Sequence, residues 1–557
     1  MKGRTEGRGH TAALEHDDPR YARRVRCASS LLAALTLSFA CACACAPAPL
    51  GSDLAPAHTA TAHTATANTP TANTPTALAP GAVAELSVAP DGSLGDRLAT
   101  PAGNERFVLI LASTALQSSA APSRYSISLG AARRAGPSRA VTGCSLSSDR
   151  FATTTLSNEV APTGPAPTEG TTRSIHIPTP EGGATIEARA LSVGKHAVIW
   201  ADTTHPTSLD RAFVGQFRDD FEQVILPRAR QVFGTEPDLD HDGRIQLVFT
   251  RLTRERGVAF FSACDLSSQL HGCSGSNQGE YLYLTPPDAI KPPYNTPNAI
   301  KEILAHEIAH LLHFNRKVLR NHLGRWEDPV YASEGIGALA QDVIGYQAGN
   351  LYVTRAALDG IDRFSLTPLV GGAEPKAERD GVLRGGAYLF IRYLYDRAGG
   401  DVAQGLEIQN RGGPAFLRAL IDSPLWIDEA LPKIASAPVA DLALDFYTTL
   451  ALSNREDEQE TQSQEPGLPA QNPCFRYLPT AVDPLTQKQR GANLFARFHG
   501  SQMRGPEVTD AHTRSGELES GGVQYLSLEA APGAAELAFQ LQTDPHAAVR
   551  ARVARWK

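Results

Sequence analysis

The sequence predicts an α+β protein, and three regional patterns carry that reading. Short alternating apolar runs broken by Gly, Pro and Ser clusters fill 84–190. Apolar residues at helical spacing dominate 297–452, and short strand patterns return over 474–557. The chain has 557 residues, of which 42% are hydrophobic and 20% charged, so it can bury a substantial core. That length allows about three domains. A formal charge of −7 supplies no basic field for DNA or RNA, so nucleic acid is not an expected partner. No apolar run in the body of the chain reaches the ~18–20 residues needed to span a bilayer.

Taken in order, residues 1–45 read as export machinery. Arg20, Arg23, Arg24 and Arg26 precede the apolar stretch 31–40, and small residues follow it. Ser38-Phe-Ala-Cys41 and the Ala-Cys repeats behind it suit a lipobox, with Cys41, Cys43 or Cys45 as the lipidated residue. Ordinary cleavage and release is the other reading. Membrane contact is expected only through such an anchor. The segment 46–83 is mostly Ala, Pro and Thr and reads as a disordered tether.

The β-rich segment 84–190 is expected to be an accessory domain or a propeptide. Strand patterns occur at 106–112, 125–129 and 184–191. A further strand is expected at 196–201, followed by an amphipathic helix over 209–233 with Phe213, Phe217 and Phe221 on one face. Asp238, Asp240 and Asp242 alternate before Gly243 and a strand at 245–249. They suit a calcium loop, or simply a turn entering the strand. Position twelve of an EF-hand would be Phe249, which cannot ligate. Another strand is expected at 279–284. An acidic linker, 453–473, precedes a small β-rich C-terminal domain, 474–557.

Of the eight cysteines, Cys144, Cys264, Cys273 and Cys474 lie beyond the export segment. Cys264 and Cys273 are close enough in sequence for a local disulfide, and Cys144 with Cys474 would join distant segments. Free thiols are the alternative.

The chemistry concentrates between Thr296 and Asn315. Thr296 can cap a helix whose first position suits Pro297. On that helix stands His306-Glu307-Ile308-Ala309-His310. Imidazoles four residues apart share one helix face and can grip one zinc ion, while Glu307 can reach a water on it. Such a short motif also arises in helices whose histidines are merely buried and hydrogen-bonded. A third ligand separates the two readings, and Glu334, 24 residues after His310, is the best placed. Gly335, Gly337 and Ala338 would let its helix pack closely against the first, with Ser333 at or near the helix start. Glu327 and Asp328 are weaker candidates, lying in a loop beside Pro329. His313 would strain the geometry and is expected to line the site or pack beneath it.

These motifs, with Ala-Ser-Glu-Gly at 332–335 and Gly385-Gly-Ala-Tyr-Leu-Phe-Ile-Arg-Tyr-Leu, resemble the gluzincin metallopeptidases. Within that group they are most similar to the bacterial hyicolysin-type neutral zinc peptidases. The resemblance covers about 190–450, so 191–452 is expected to be the peptidase domain. It implies a thermolysin-like fold, a mixed sheet above a helical lobe with a cleft between them. It also implies His306, His310 and Glu334 as zinc ligands and Glu307 as general base. Asn315 occupies the position of an outer-shell Asn, though a structural helix-end Asn fits equally. The oxyanion donor is not fixed by any motif. Tyr388 and Arg384 are candidates, and Tyr388 could equally be a core aromatic. In the implied fold the strand carrying Glu280, Tyr281 and Leu282 is an edge that pairs with extended substrate.

The expected function is therefore a secreted or surface-anchored zinc-dependent endopeptidase acting on peptide or protein substrates through metal-activated water. Two alternatives stand beside it. One is a noncatalytic surface lipoprotein retaining the fold for binding. The other is an aminopeptidase, with Glu280 holding the substrate amine.

Overall fold

The computed structural model describes residues 74–556 apart from 116–120, 131–137, 153, 155, 157–163, 180–181, 271–272, 293, 325, 327, 364–376, 455–471 and 499–500. The expected signal peptide, the lipobox cysteines, most of the tether and acidic linker, and Glu327 lie outside the described residues.

The alternating runs of the N-terminal region become strands that divide between two bodies of sheet. The first five are β1 (Val83–Leu86), β2 (Ser93–Ala99), β3 (Arg106–Ser113), β4 (Ser123–Leu129) and β5 (Ser138–Ala140). The next six are β6 (Thr172–Ile177), β7 (Ala184–Val193), β8 (Ala197–Asp202), β9 (Ile245–Phe249), β10 (Ala259–Phe261) and β11 (Tyr281–Leu284). These six form one mixed sheet in the order β10-β11-β9-β8-β7-β6. β8, β9 and β11 run parallel, and the outer strands are antiparallel. The sheet is apolar on both faces, as a covered sheet must be. Ile199, Leu247, Phe249 and Leu282 face the helices, while Val198, Trp200, Val248 and Tyr283 pack on the opposite side.

Between β8 and β9 the expected helix runs from Arg211 to Phe233 but is not regular. α1 (Arg211–Asp220) passes through a π-helical turn, Phe221–Ile225, into α2 (Leu226–Phe233). Phe217, Phe221 and Ile225 stay buried through the irregular turn. The helical lobe follows β11. It comprises α3 (Pro297–Phe314), α4 (Val330–Ile344), α5 (Ala348–Leu358), α6 (Ala377–Arg397), α7 (Gly413–Asp422), α8 (Ile427–Ala435) and α9 (Val439–Leu452). Three short two-stranded ribbons pair Asp401–Gln404 (β12) with Glu407–Asn410 (β13), Ala481–Val482 (β14) with Gln489–Arg490 (β15), and Arg497–Phe498 (β16) with Ser501–Gln502 (β17). Among the described residues no helix is long and apolar enough to cross a membrane.

The C-terminal strands are β18 (Thr509–Asp510), β19 (Arg514–Leu518), β20 (Val523–Glu529), β21 (Glu536–Thr543) and β22 (Val549–Arg555). They do not build a unit of their own. One sheet runs β18-β20-β3-β22-β1-β5 and the other β19-β4-β21-β2, so strands from 83–140 and from 509–555 alternate within one sandwich. The expected separation of 84–190 from 474–557 is corrected accordingly, and β6 and β7 belong to the mixed sheet instead. Period-two alternation explains how β3 serves two cores. Phe107, Leu109 and Leu111 enter the sandwich interior, while Val108, Ile110 and Ala112 face the helical lobe. Arg552 bridges the same junction to Asp445 of α9 at 2.7 Å. Disulfides join Cys144 to Cys474 and Cys264 to Cys273.

Candidate metal centre

α3 begins as its sequence dictates. The Thr296 hydroxyl accepts the Ala299 amide at 3.2 Å, and Pro297 occupies the first turn. The helical rise then stacks His306 and His310 on one face, their ring centroids 4.6 Å apart. α4 packs across that face and brings Glu334 to both rings. His306 Nε2 lies 3.5 Å from Glu334 Oε2, and His310 Nε2 lies 3.9 Å from Oε1. One ligand-type atom from each of the three lies within 4.8 Å of the others.

The close approach depends on small residues in α4. A Cβ on Gly337 would stand 2.6 Å from the His306 ring, and one on Gly335 would meet the Ala387 carbonyl oxygen at 2.7 Å. Pro329 precedes the first turn of α4, so Ser333 does not cap the helix. Its hydroxyl instead meets His310 Nδ1 at 3.2 Å, which orients the ring with Nε2 towards Glu334. Glu307 is buried, and its Oε2 accepts the Phe261 amide of β10 at 3.0 Å. Neither partner was visible in the sequence. Ser333 adjoins the candidate ligand, which is the one local signal available.

Burial and neighbouring charge act differently on the three donors. Burial drives His310 down to about 3, helped by the charge of His306, so it is a neutral imidazole. Burial opposes ionisation of Glu334, but the hydrogen bond and charge of His306, then His310 and Arg384, hold its carboxyl far below the ordinary range. Burial likewise opposes a charged His306, yet its contact with Glu334 and the charges of Glu307 and Glu334 raise its pKa. Two imidazoles and an ionised carboxylate, all converging, fit the ligand chemistry of catalytic zinc. Arg384 pairs with Glu334 from α6 and keeps 45% of its side chain exposed.

Other expected site residues fall elsewhere. Tyr388 is corrected to a core residue. It is 1% exposed, and its hydroxyl donates to Asp342 at 2.9 Å. The substrate-edge role of Glu280, Tyr281 and Leu282 is also corrected. β11 is hydrogen-bonded on both sides, to β10 and β9, which leaves β10 as the edge strand. Glu280 is itself buried against the Leu239 amide, 2.9 Å away, so it is not available to hold a substrate amine. Asn315 donates to the Thr235 carbonyl at 2.7 Å, tying the end of α3 to the turn after α2. His313 is fully buried, with Nε2 2.8 Å from Asp328, whose second oxygen takes the Ile427 amide. That pair commits Asp328 away from the centre. In the Asp238–Asp242 loop, Asp242 accepts from the Arg244 amide and from Gln246, at 2.7 and 2.9 Å. Its carboxylate also meets that of Asp240, but the three oxygens that lie within 4.8 Å of one another belong to Asp238, Asp240 and Glu280, which replaces Asp242 of the expected calcium set by Glu280.

No family model matches the chain. Over 251 residues, 43% of this chain, it is 25% identical to the neutral metalloprotease ShpI of Staphylococcus hyicus. The match takes in 51% of that protein, so the chain spans about half the length of the curated relative it matches.

Proposed function

We propose that the chain is an exported zinc-dependent endopeptidase with a thermolysin-like arrangement of sheet and helical lobe. One observation carries the reading. His306, His310 and Glu334 converge to within 4.8 Å, with Glu307 beside them and turned by the Phe261 amide. His306, His310 and Glu334 would hold the zinc. A zinc ion there supplies Lewis acidity, polarising a substrate carbonyl and acidifying a water molecule.

The remaining work belongs to this chain's own groups. Glu307 takes a proton from the attacking water as the new C–O bond forms. It passes that proton to the amine nitrogen as the C–N bond breaks. Burial raises the Glu307 carboxyl above its ordinary value despite the charge of His306, which moves it towards the neutral range a general base needs. The Arg384 guanidinium can donate to the carbonyl oxygen as negative charge develops on it. An extended substrate backbone would pair with the edge strand β10, directly beside Glu307. Two disulfides suit an oxidising compartment, in keeping with export and either release or a lipid anchor at Cys41, Cys43 or Cys45.

The test pairs metal analysis with cleavage. The purified protein is expected to carry one zinc per chain. It should digest casein and an N-terminally blocked fluorogenic peptide, lose both activities to a chelator and regain them with zinc. Zinc-loaded protein that cleaves neither substrate would refute the reading, and cleavage of only unblocked peptides would favour an aminopeptidase.

A further inference from the structure

A second group of ligand-type side chains gathers where the loop after α2 meets the start of β11. One carboxylate oxygen from each of Asp238, Asp240 and Glu280 lies within 4.8 Å of the others. Glu280 is 1% exposed. Its Oε1 accepts the amide of Leu239, the residue between the two aspartates, so the carboxylate is pressed into the loop. Its Oε2 is buried with no hydrogen-bond partner among the described residues. Asp240 lies against the backbone just before Glu280. A Cβ on Gly279, next to Glu280, would stand 3.2 Å from Asp240 Oδ2.

An unpaired carboxylate oxygen in a buried site is costly unless it is protonated or meets a cation. Burial and then the negative charges of Asp240 and Asp238 push Glu280 up to about 8. Oxygen ligands ~2.3–2.6 Å from a calcium ion stand ~3–5 Å from one another, which matches the observed spread. The donor set is all oxygen, with no imidazole or thiolate, and so selects a hard cation over zinc.

We propose that Asp238, Asp240 and Glu280 form a binding site for a hard divalent cation of the calcium class, separate from the His–His–Glu centre. The ion fastens the 238–243 loop to the start of β11. β11 in turn carries β10, whose Phe261 amide holds Glu307, so the ion steadies the sheet edge beside the zinc ligands. The site stands independently of the peptidase reading, because its test reads binding and stability and needs no substrate.

The experiment uses the full chain with its zinc retained and calcium removed by a calcium-selective chelator. Calcium titration by calorimetry should find one saturable site, at ~10⁻³ M or tighter, and a matching rise in Tm. Glu280→Gln keeps an acceptor for the Leu239 amide but removes the charge. It and Asp240→Asn should each weaken binding at least ~tenfold, the loss expected when one ligand of a divalent ion is neutralised. No saturable binding to the wild type, or unchanged binding in both variants, overturns the proposal. Terbium luminescence keeps the test open should either variant fail to fold. The Tyr281 ring and Asp240 Oδ2 both lie 3.2 Å from the same built Cβ of Gly279, so this tyrosine can sensitise terbium in the site. Tyr281→Phe should lose the emission that calcium competes away, and undiminished emission would put the ion elsewhere and sink the proposal.

Discussion

Glu334 on α4, with 23% of its side chain exposed, and Glu280, fully buried just before β11, are the same side chain held in opposite ways. Glu334 faces His306, His310 and Arg384, and these hold it ionised against the cost of burial. Glu280 faces two aspartates and is pushed up to about 8 by burial and their charges. Burial alone therefore does not set the state of a carboxylate here. The sign of the side chains brought against it does. The helix-borne group is assembled with nitrogen donors and suits zinc, whereas the sheet-borne group is all oxygen and suits a harder ion.

Removing Glu334 breaks the comparison most completely. Glu334→Ala strips the two imidazoles of their shared carboxylate, so zinc binding should weaken by more than the ~10–100-fold typical of an outer-shell loss. Proteolysis should fall to background. Metal analysis after dialysis checks this, and full zinc occupancy in the variant would refute the ligand role. Glu307→Gln sharpens the contrast by leaving the ligands alone. The amide oxygen still accepts from Phe261 but cannot take a proton, so kcat should drop ~10²–10⁴-fold with zinc content unchanged. Wild-type turnover in that variant would remove Glu307 from the chemistry.

The smallest effect tests the sheet side alone. Asp265 is buried, and its oxygens accept from the Tyr283 hydroxyl at 2.6 Å and the Asn277 amide at 2.7 Å. Burial outweighs these hydrogen bonds and carries it from 3.8 up to about 6. Between those values the folded protein binds more protons than the unfolded chain, so this group's contribution to stability declines as pH rises through the window. Asp265→Asn should lack the decline. Comparing unfolding of the two proteins at pH 4 and pH 7 should find the wild type losing on the order of 2–3 kcal/mol more. Parallel pH profiles would show that Asp265 keeps its ordinary pKa.

The legible parts of this molecule were those governed by local geometry. The rise of a helix puts His306 and His310 on one face in any context, and the small residues after Glu334 announced a close helix crossing. What the sequence concealed was pairing between distant segments. The pattern of Tyr281–Leu284 is that of a strand, but nothing in those residues says that the three-residue β10 lies outside it and takes the edge. Tyr388 sat at plausible spacing for an oxyanion donor, while its fate was decided by Asp342 on a neighbouring helix. The alternating aspartates suggested an ion, yet the partner that completes the group is Glu280, forty residues after Asp240. Strand order and buried charge pairing are set by which segments meet, and no local period encodes that.

The shared sandwich constrains how such a chain can be made and matured. β3 is flanked by β20 and β22, so its hydrogen bonds wait for strands far downstream in the chain. The Cys144–Cys474 link closes over a separation of 330 residues and cannot form until nearly everything between has emerged. A polypeptide that emerges in one direction therefore completes these two sheets only once β22 is available. Proteolytic excision of 84–190 would take away β3 together with two strands of the mixed sheet.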